Sequence, residues 1–466
     1  MIELPGVEVL GPEAQTCMAG PHPDHNTICA AIVLEGADGL DAGALLRGVK
    51  RRIASTLDLA PRMRKIPLRL PDRAPIHVLA DAPTIDLDYH VQLVAADAEV
   101  TPERFGELLL MFSDQPLDHD RPLWRVMVVP RLADGRAGLV FRVHHFIQDG
   151  VMAAATGAAM LIDDAPDRPL REPPPYVPAP LPDAAQLAAL AHEVRRAHRH
   201  EVATLLEGAT GHPRHTLATV HQVATAYHEE LAGTPSELLA RRSDERAIEL
   251  VQVPLADVQR GQEALGEHVS FNDVAVTALV GGLAAMLDPA QRAGQTVRVE
   301  VPITLSLQDG GPNDFDQRAS LMILQLPLDA PDAYTVLALA SAQSRQRKTT
   351  DARAVERLLH AFMLLPLRAF EHLSDAAWAG GNLLFSDIPG PRQPLFVAGR
   401  RVASIYGIGN LRGASSLRVV ALSFGDQVTF GILYDRQAVP VARLKAGIEA
   451  TLAELQRGLV TKDPSR

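Results

Sequence analysis

Cysteine is nearly missing from this chain of 466 residues: Cys17 and Cys29 are the only two, both near the N-terminus. Two thiols cannot frame a disulfide-stapled fold, and their scarcity points to a reducing, intracellular setting. Aromatic residues are also few, at 4%, and they do not interleave with basic ones in the way that stacks nucleobases. With a formal net charge of −11, a phosphate-backbone partner is disfavoured and a polybasic membrane anchor finds no support. No run of about 18 uninterrupted apolar residues occurs, which argues against a spanning helix. The opening Met1-Ile2-Glu3-Leu4-Pro5-Gly6 lacks the basic and apolar regions of a secretory signal. A serine-hydrolase GxSxG elbow and a sequence repeat are not found either. The expectation is a cytoplasmic protein, at most peripheral to a membrane.

What the chain does have is ordinary globular composition, 47% hydrophobic and 22% charged, and length for two large domains or one elaborate one. Its main punctuation is a proline-rich stretch with Pro173-Pro174-Pro175 and Pro178-Ala179-Pro180, which cannot continue a helix or a central strand. We expect a first domain over 1–165, a crossing linker over 166–190 and a second domain over 191–466. Leu139 to His144 reads as a buried strand ending at the turn signal Asp149-Gly150, followed by an Ala- and Met-rich helix from Val151 to Ile162. In the second half, Ser270 with Asp273 gives a capping-box start to an apolar helix, Val274 to Leu287. Val297 to Leu307 and Leu321 to Leu328 read as strands, Leu417–Phe424 and Val428–Tyr434 as a hairpin, and Val441 to Leu455 as an amphipathic helix. The class is therefore α/β (or α+β), with two similar layered domains facing each other.

Chemistry concentrates in His144-His145-Phe146-Ile147-Gln148-Asp149-Gly150. Imidazole alone has an unperturbed pKa near neutrality, so a histidine held at a strand end can take a proton from a hydroxyl and release it within one turnover. Asp149, beyond the turn, could orient the ring or fix the loop through an arginine, and Gly150 permits backbone conformations closed to other residues. Two blander readings stand beside this one. The pair could be satisfied core histidines, or it could ligate a metal. Adjacent strand residues point to opposite faces, however, and no cysteine or HExxH partner accompanies them, so no metal is expected.

The segment resembles the HHxxxDG motif of the CoA-dependent acyltransferase superfamily, and the chain as a whole resembles the bacterial wax ester synthase/diacylglycerol acyltransferase family. Four more segments carry the nearer likeness. Pro116-Leu117-Asp118 with Arg121-Pro122-Leu123-Trp124 is similar to the family's PLD…RPLW block, and Asn272-Asp273 to its ND block. Ser386-Asp387-Ile388-Pro389-Gly390-Pro391 is similar to SNVPGP, and Thr429 to Asp435 to the closing strand.

The resemblance implies two chloramphenicol-acetyltransferase-like domains enclosing a tunnel, with acyl-CoA entering at one mouth and an alcohol or diacylglycerol at the other. It implies that His145 is the general base, acting without a covalent intermediate, and that Asn272 faces it and holds the acceptor or the tetrahedral intermediate. His144, Asp149, Gly150 and Asp273 become supporting residues, with Asp149 paired to an arginine. Acyl-CoA is then a co-substrate, with no permanently bound cofactor, and contact with a membrane or lipid droplet would be peripheral. Some features depart from the family pattern. Leu10-Gly11-Pro12-Glu13-Ala14 lacks the Ser and Asp of the usual opening block, and Asp387 stands where the family carries Asn. A specialised-metabolite hydroxyl as acceptor, or a non-catalytic acyl-binding role, remains as an alternative. His192, His198, His200, His212, His215, His221 and His228 are expected on a solvated helical face, and Leu358 to Leu365 in a buried helix.

Overall fold

The structure, a computed structural model, describes residues 2–18, 26–36, 41–72, 76–95, 97–211, 237–265, 269–304, 319–347, 360–361, 363–366, 368–369, 383–411 and 415–460. Three sheets form among them. The first has six strands in the order β12 (Phe396–Val397), β13 (Arg400–Ile408), β2 (Thr27–Leu34), β7 (Ala137–His144), β6 (Trp124–Val129) and β5 (Val91–Leu93). The second runs β10 (Ala319–Pro327), β9 (Thr296–Thr304), β11 (Leu383–Ile388), β14 (Leu417–Phe424), β15 (Gln427–Asp435) and β8 (Arg246–Pro254). A small sheet joins β1 (Glu8–Val9), β4 (His77–Asp81) and β3 (Lys65–Arg69). Helices α1 (Pro12–Thr16), α2 (Ala42–Thr56), α3 (Leu87–His90), α4 (Pro102–Asp114), α5 (Gly150–Leu161) and α6 (Ala184–Gly211) belong to the first part of the chain. They are followed by α7 (Leu255–Glu263), α8 (Phe271–Met286), α9 (Pro289–Arg292), α10 (Ala333–Arg347) and α11 (Val441–Val460).

Both six-stranded sheets are covered by helices, and the sequence explains why. Every residue of β7 is buried, as a strand with apolar layers on both faces requires. Leu139, Phe141 and Val143 pack with Leu45, Val49 and Ile53 of α2 and with Met160 and Leu161 of α5. On the opposite face, Val140 meets Phe105, Leu108 and Leu109 of α4. The one charge in the strand, Arg142, is fully buried and donates to the Phe112 carbonyl at 2.6 Å and to Thr27 Oγ1 at 3.2 Å. In the second half, α8 is apolar on nearly all sides and accordingly sits inside, between its sheet and α11. Ser270 caps it through the expected capping box.

The proline-rich stretch carries no helix or strand from residue 164 to 183. It is held along the surface where the Tyr176 hydroxyl reaches the carbonyls of Arg64 and Ala82 at 3.1 and 2.7 Å. The first turns of α6 then cover the small sheet with Leu190, Ala191 and Val194. On this helix His192 and His200 are exposed, but His198 is buried, with Nδ1 2.7 Å from His360 Nδ1, so it does not belong to a solvated face. Burial, followed by the neighbouring His360, depresses its pKa to about 4. His212, His215, His221 and His228 lie outside the described residues, as do Leu358, Leu359 and Phe362. Met363 is buried, at a turn.

The two large sheets share chain. Strand β13 pairs antiparallel with β2, Tyr406 opposite Ala31 and Ile408 opposite Cys29. The first sheet therefore takes its last two strands from residues 396–408, a crossover that a division at 166–190 leaves out. Strand β13 is pressed at the same time on the face of the second sheet. Thr429 Oγ1 on β15 lies 2.6 Å from the Ile405 carbonyl on β13 and 3.1 Å from the Leu422 carbonyl on β14. A Cβ at Gly431 would sit 1.9 Å from the Gly407 carbonyl oxygen, so only glycine allows this approach.

Gly431→Ala should therefore destabilise the protein by about 1–3 kcal/mol through overpacking. The loss is read as a lower urea midpoint at unchanged m value.

Candidate active site

His145 and His144 are placed by the end of β7. Thr27 of β2 pairs with His144, and the next amide, His145 N–H, donates to the Asn26 carbonyl at 2.8 Å. The chain then turns, with Ile147 N–H returning to the His144 carbonyl at 3.0 Å. Burial separates the two rings. His144 is fully buried, and its Nδ1 accepts from the Phe146 amide at 3.0 Å. His145 is half-buried, with Nδ1 3.6 Å from the Sγ of Cys17. Cys17 lies 128 positions earlier in the chain, and no local pattern marks it as a neighbour of the histidine.

Asp149 has its own task at the start of α5. Its side chain caps the helix, accepting from Met152 N–H at 2.8 Å. It is not ion-paired with an arginine among the described residues, contrary to the expectation from resemblance. The nearby cation is Arg62, which instead binds Glu8 at 2.6 Å and donates to the Ile147 carbonyl at 3.1 Å. Asp149 Oδ2 is buried with no hydrogen-bond partner among the described residues. Burial raises the Asp149 pKa, opposed by the amides of Met152 and Val151 and by the charge of Arg62. Gly150 does not take a positive φ. A Cβ there would meet Ile388 Cδ1 at 3.6 Å, an ordinary contact, so its value is not the backbone freedom that the motif suggested.

That contact brings together distant parts of the sequence. Ile388 belongs to the Ser386–Pro391 segment, so the HHxxxDG turn packs against the second sheet at this point. On its other side the segment borders a cavity of about 350 Å³, where Asp387 and Gly390 meet Phe271, Gln259, Gln262 and Arg392. Gly390 also lacks a positive φ. Its constraint is a close approach, since a Cβ would fall 2.0 Å from the Ser423 carbonyl oxygen. Asn272, next to Phe271, is half-buried. Its Oδ1 is buried without a hydrogen-bond partner among the described residues, and no hydrogen bond joins it to His145. Asp273 is structural in its contacts: one oxygen accepts from Ser270 N–H at 2.9 Å and the other from Ser344 Oγ at 2.7 Å. Trp124 is wholly buried, stacked on His90 at 4.2 Å, with Nε1–H donating to the Met63 carbonyl at 2.8 Å. Among the described residues no three metal-ligating side chains stand together.

Two helix-covered mixed sheets joined through a crossover strand, with a histidine at a strand end in the HHxxxDG turn, fit an acyltransferase. More narrowly, the chain belongs to the wax ester synthase/diacylglycerol acyltransferase family: its catalytic-domain model matches residues 16–275 and its C-terminal-domain model residues 317–456. The chain is 27% identical over 456 residues to a probable diacylglycerol O-acyltransferase of Mycobacterium tuberculosis, covering 92% of this chain and 90% of that one. Its fold is similar to a wax ester synthase/diacylglycerol acyltransferase from Marinobacter aquaeolei, with TM-score 0.62 at 17% identity over 97% and 99% of the two chains. The first condensation domain of the calcium-dependent antibiotic synthetase is also similar in fold, with TM-score 0.56 at 16% identity over 99% and 97%.

The capping role of Asp149 can be separated from its charge. A carboxyl whose folded pKa is raised favours the native state while protonated, and that contribution is lost as pH rises through the folded value. Ionised Asp149 thus counts against stability at neutral pH. Asp149→Asn, which keeps the capping oxygen, should unfold at or above the wild-type Tm at pH 7 and show a shallower decline in Tm from mildly acid to neutral pH. Asp149→Ala loses the cap and should cost about 1 kcal/mol.

Proposed function

We propose that this chain transfers a fatty acyl group from acyl-CoA to a long-chain alcohol or diacylglycerol, with His145 as general base and no covalent intermediate. The observation that carries the choice of residue is the difference between the paired histidines. His144 is sealed in the sheet with Nδ1 taken by a backbone amide, whereas His145 is half-buried at a fixed strand end. An alcohol is a poor nucleophile at neutral pH, so removing its proton as it attacks is the main service required. The hydroxyl oxygen adds to the thioester carbonyl carbon while His145 takes the proton. The tetrahedral oxyanion then collapses, the carbon–sulfur bond breaks, and the imidazolium returns the proton to the departing thiolate. The products are an ester and free CoA.

We assign Asn272 to the same centre. Its Oδ1, buried without a partner among the described residues, suits acceptance from the acceptor hydroxyl, and its amide hydrogens suit the oxyanion. A donor of that kind is typically worth about 3 kcal/mol. Asp387, standing where the family carries Asn, favours a second reading, in which the acceptor is a polar, specialised hydroxyl. Any contact with a membrane or lipid droplet is proposed as peripheral, since no helix among the described residues is long and apolar enough to cross a bilayer.

Thiol release from palmitoyl-CoA with a panel of long-chain, diacylglycerol and polar alcohols tests the reading. We expect His145→Ala to abolish release; equal rates in both proteins would remove the base assignment. Tight acyl-CoA binding with no turnover on any acceptor would instead favour a binding role. Asn272→Ala should lower kcat on the order of 10²-fold with Tm retained, and unchanged kinetics would take it out of the site.

A further inference from the structure

The Cys17–His145 contact is built rather than incidental. Asn26 ties the same two residues a second time, donating from Nδ2 to the Cys17 carbonyl at 3.1 Å and accepting at its own carbonyl from His145 N–H at 2.8 Å. The helix that delivers Cys17 is itself bolted to the small sheet. Gln15, fully buried, donates to the carbonyls of Leu10 and His77 at 3.3 and 2.8 Å and accepts from His77 N–H at 2.8 Å. Cys17 Sγ lies 3.7 Å from the Glu13 carbonyl, which can take the thiol hydrogen. The sulfur then presents a lone pair to His145 Nδ1 at 3.6 Å.

From this geometry we infer that Cys17 is a positioning residue, whose sulfur accepts from His145 Nδ1–H and holds the imidazole in the tautomer with its lone pair on Nε2. The partner of one ring nitrogen decides which nitrogen carries the proton, and a base acting through Nε2 needs the hydrogen on Nδ1. The inference rests on the assignment of His145 as base. The thiol is a weak acceptor, so its value is orientation and tautomer, not charge. A cysteine beside a histidine is also the arrangement of a thiol nucleophile, and the experiment must separate the two.

Three variants do so: Cys17→Val, which keeps the bulk without the acceptor; Cys17→Ser, which keeps an acceptor; and Cys17→Ala, should the valine not fold. We expect kcat to fall about tenfold in the valine or alanine protein, as for other groups that fix a histidine tautomer. KM for palmitoyl-CoA should be unchanged, and serine should restore most of the rate. Nitrogen-15 imidazole spectra should place the His145 hydrogen on Nδ1 in the wild type and serine proteins, and move it towards Nε2 in the valine or alanine one. Wild-type kcat and tautomer in the valine or alanine protein would overturn the inference. So would a palmitoyl adduct on Cys17 by intact mass after incubation with palmitoyl-CoA. The spectra require no turnover, so they judge Cys17 even if His145→Ala shows that the base lies elsewhere.

Discussion

Thr429 sets its hydroxyl against two carbonyls at once, one on its own sheet and one on the crossing strand, while the Gly407 carbonyl occupies the space above Gly431. This backbone-on-backbone contact fixes how the two large sheets meet. Strand β13 is hydrogen-bonded edge-on into the sheet that carries His145 and packed face-on against the sheet that carries the Ser386–Pro391 segment. Moving one sheet relative to the other would break a strand ladder or drive carbonyls into side chains. Val420, Leu422 and Ile388 from the second half consequently share an apolar cluster with Phe141, Phe146 and Ile147 from the first. The candidate site rests on that shared core.

Desolvation sorts the polar groups around the site. Arg142 is buried yet satisfied in part by a carbonyl and a hydroxyl, with no carboxylate hydrogen-bonded to it among the described residues. Asp149 is buried and capped, yet left with one bare oxygen. His90, stacked under Trp124, has its pKa pushed down to about 4 by burial. Each keeps its place through neutral dipoles more than through opposite charges, and such sites tolerate little rearrangement. His145, by contrast, is only half-buried at its strand end.

Much of this was legible from residues alone. The strand ending at His144, the helix after Asp149, the capping box at Ser270 and the closing hairpin follow from periodicity and turn chemistry, which are local. The HHxxxDG turn could be picked out because imidazole chemistry is rare and its spacing is short. The contacts that complete the site were not legible. Nothing in Arg400–Ile408 says that this strand pairs with β2 rather than with a neighbour in its own half, since pairing partners are set by tertiary packing. The partner of Asp149 could not be named because it proved to be a backbone amide and not an arginine. Cys17 carried only information about compartment until the fold laid it beside His145. Glycine was misread at position 150, where the motif suggested an unusual dihedral that the backbone does not take.

The crossover also orders events during synthesis. When β7 leaves the ribosome, β2 is an open edge, because the strand that covers it is encoded near residue 400. At about 5–20 residues per second, that edge waits on the order of tens of seconds. Its sequence, Thr27–Leu34, is apolar and β-prone, the kind of exposed edge that recruits other chains. Emergence of β13, rather than completion of the HHxxxDG segment, marks the moment at which the first sheet can be completed.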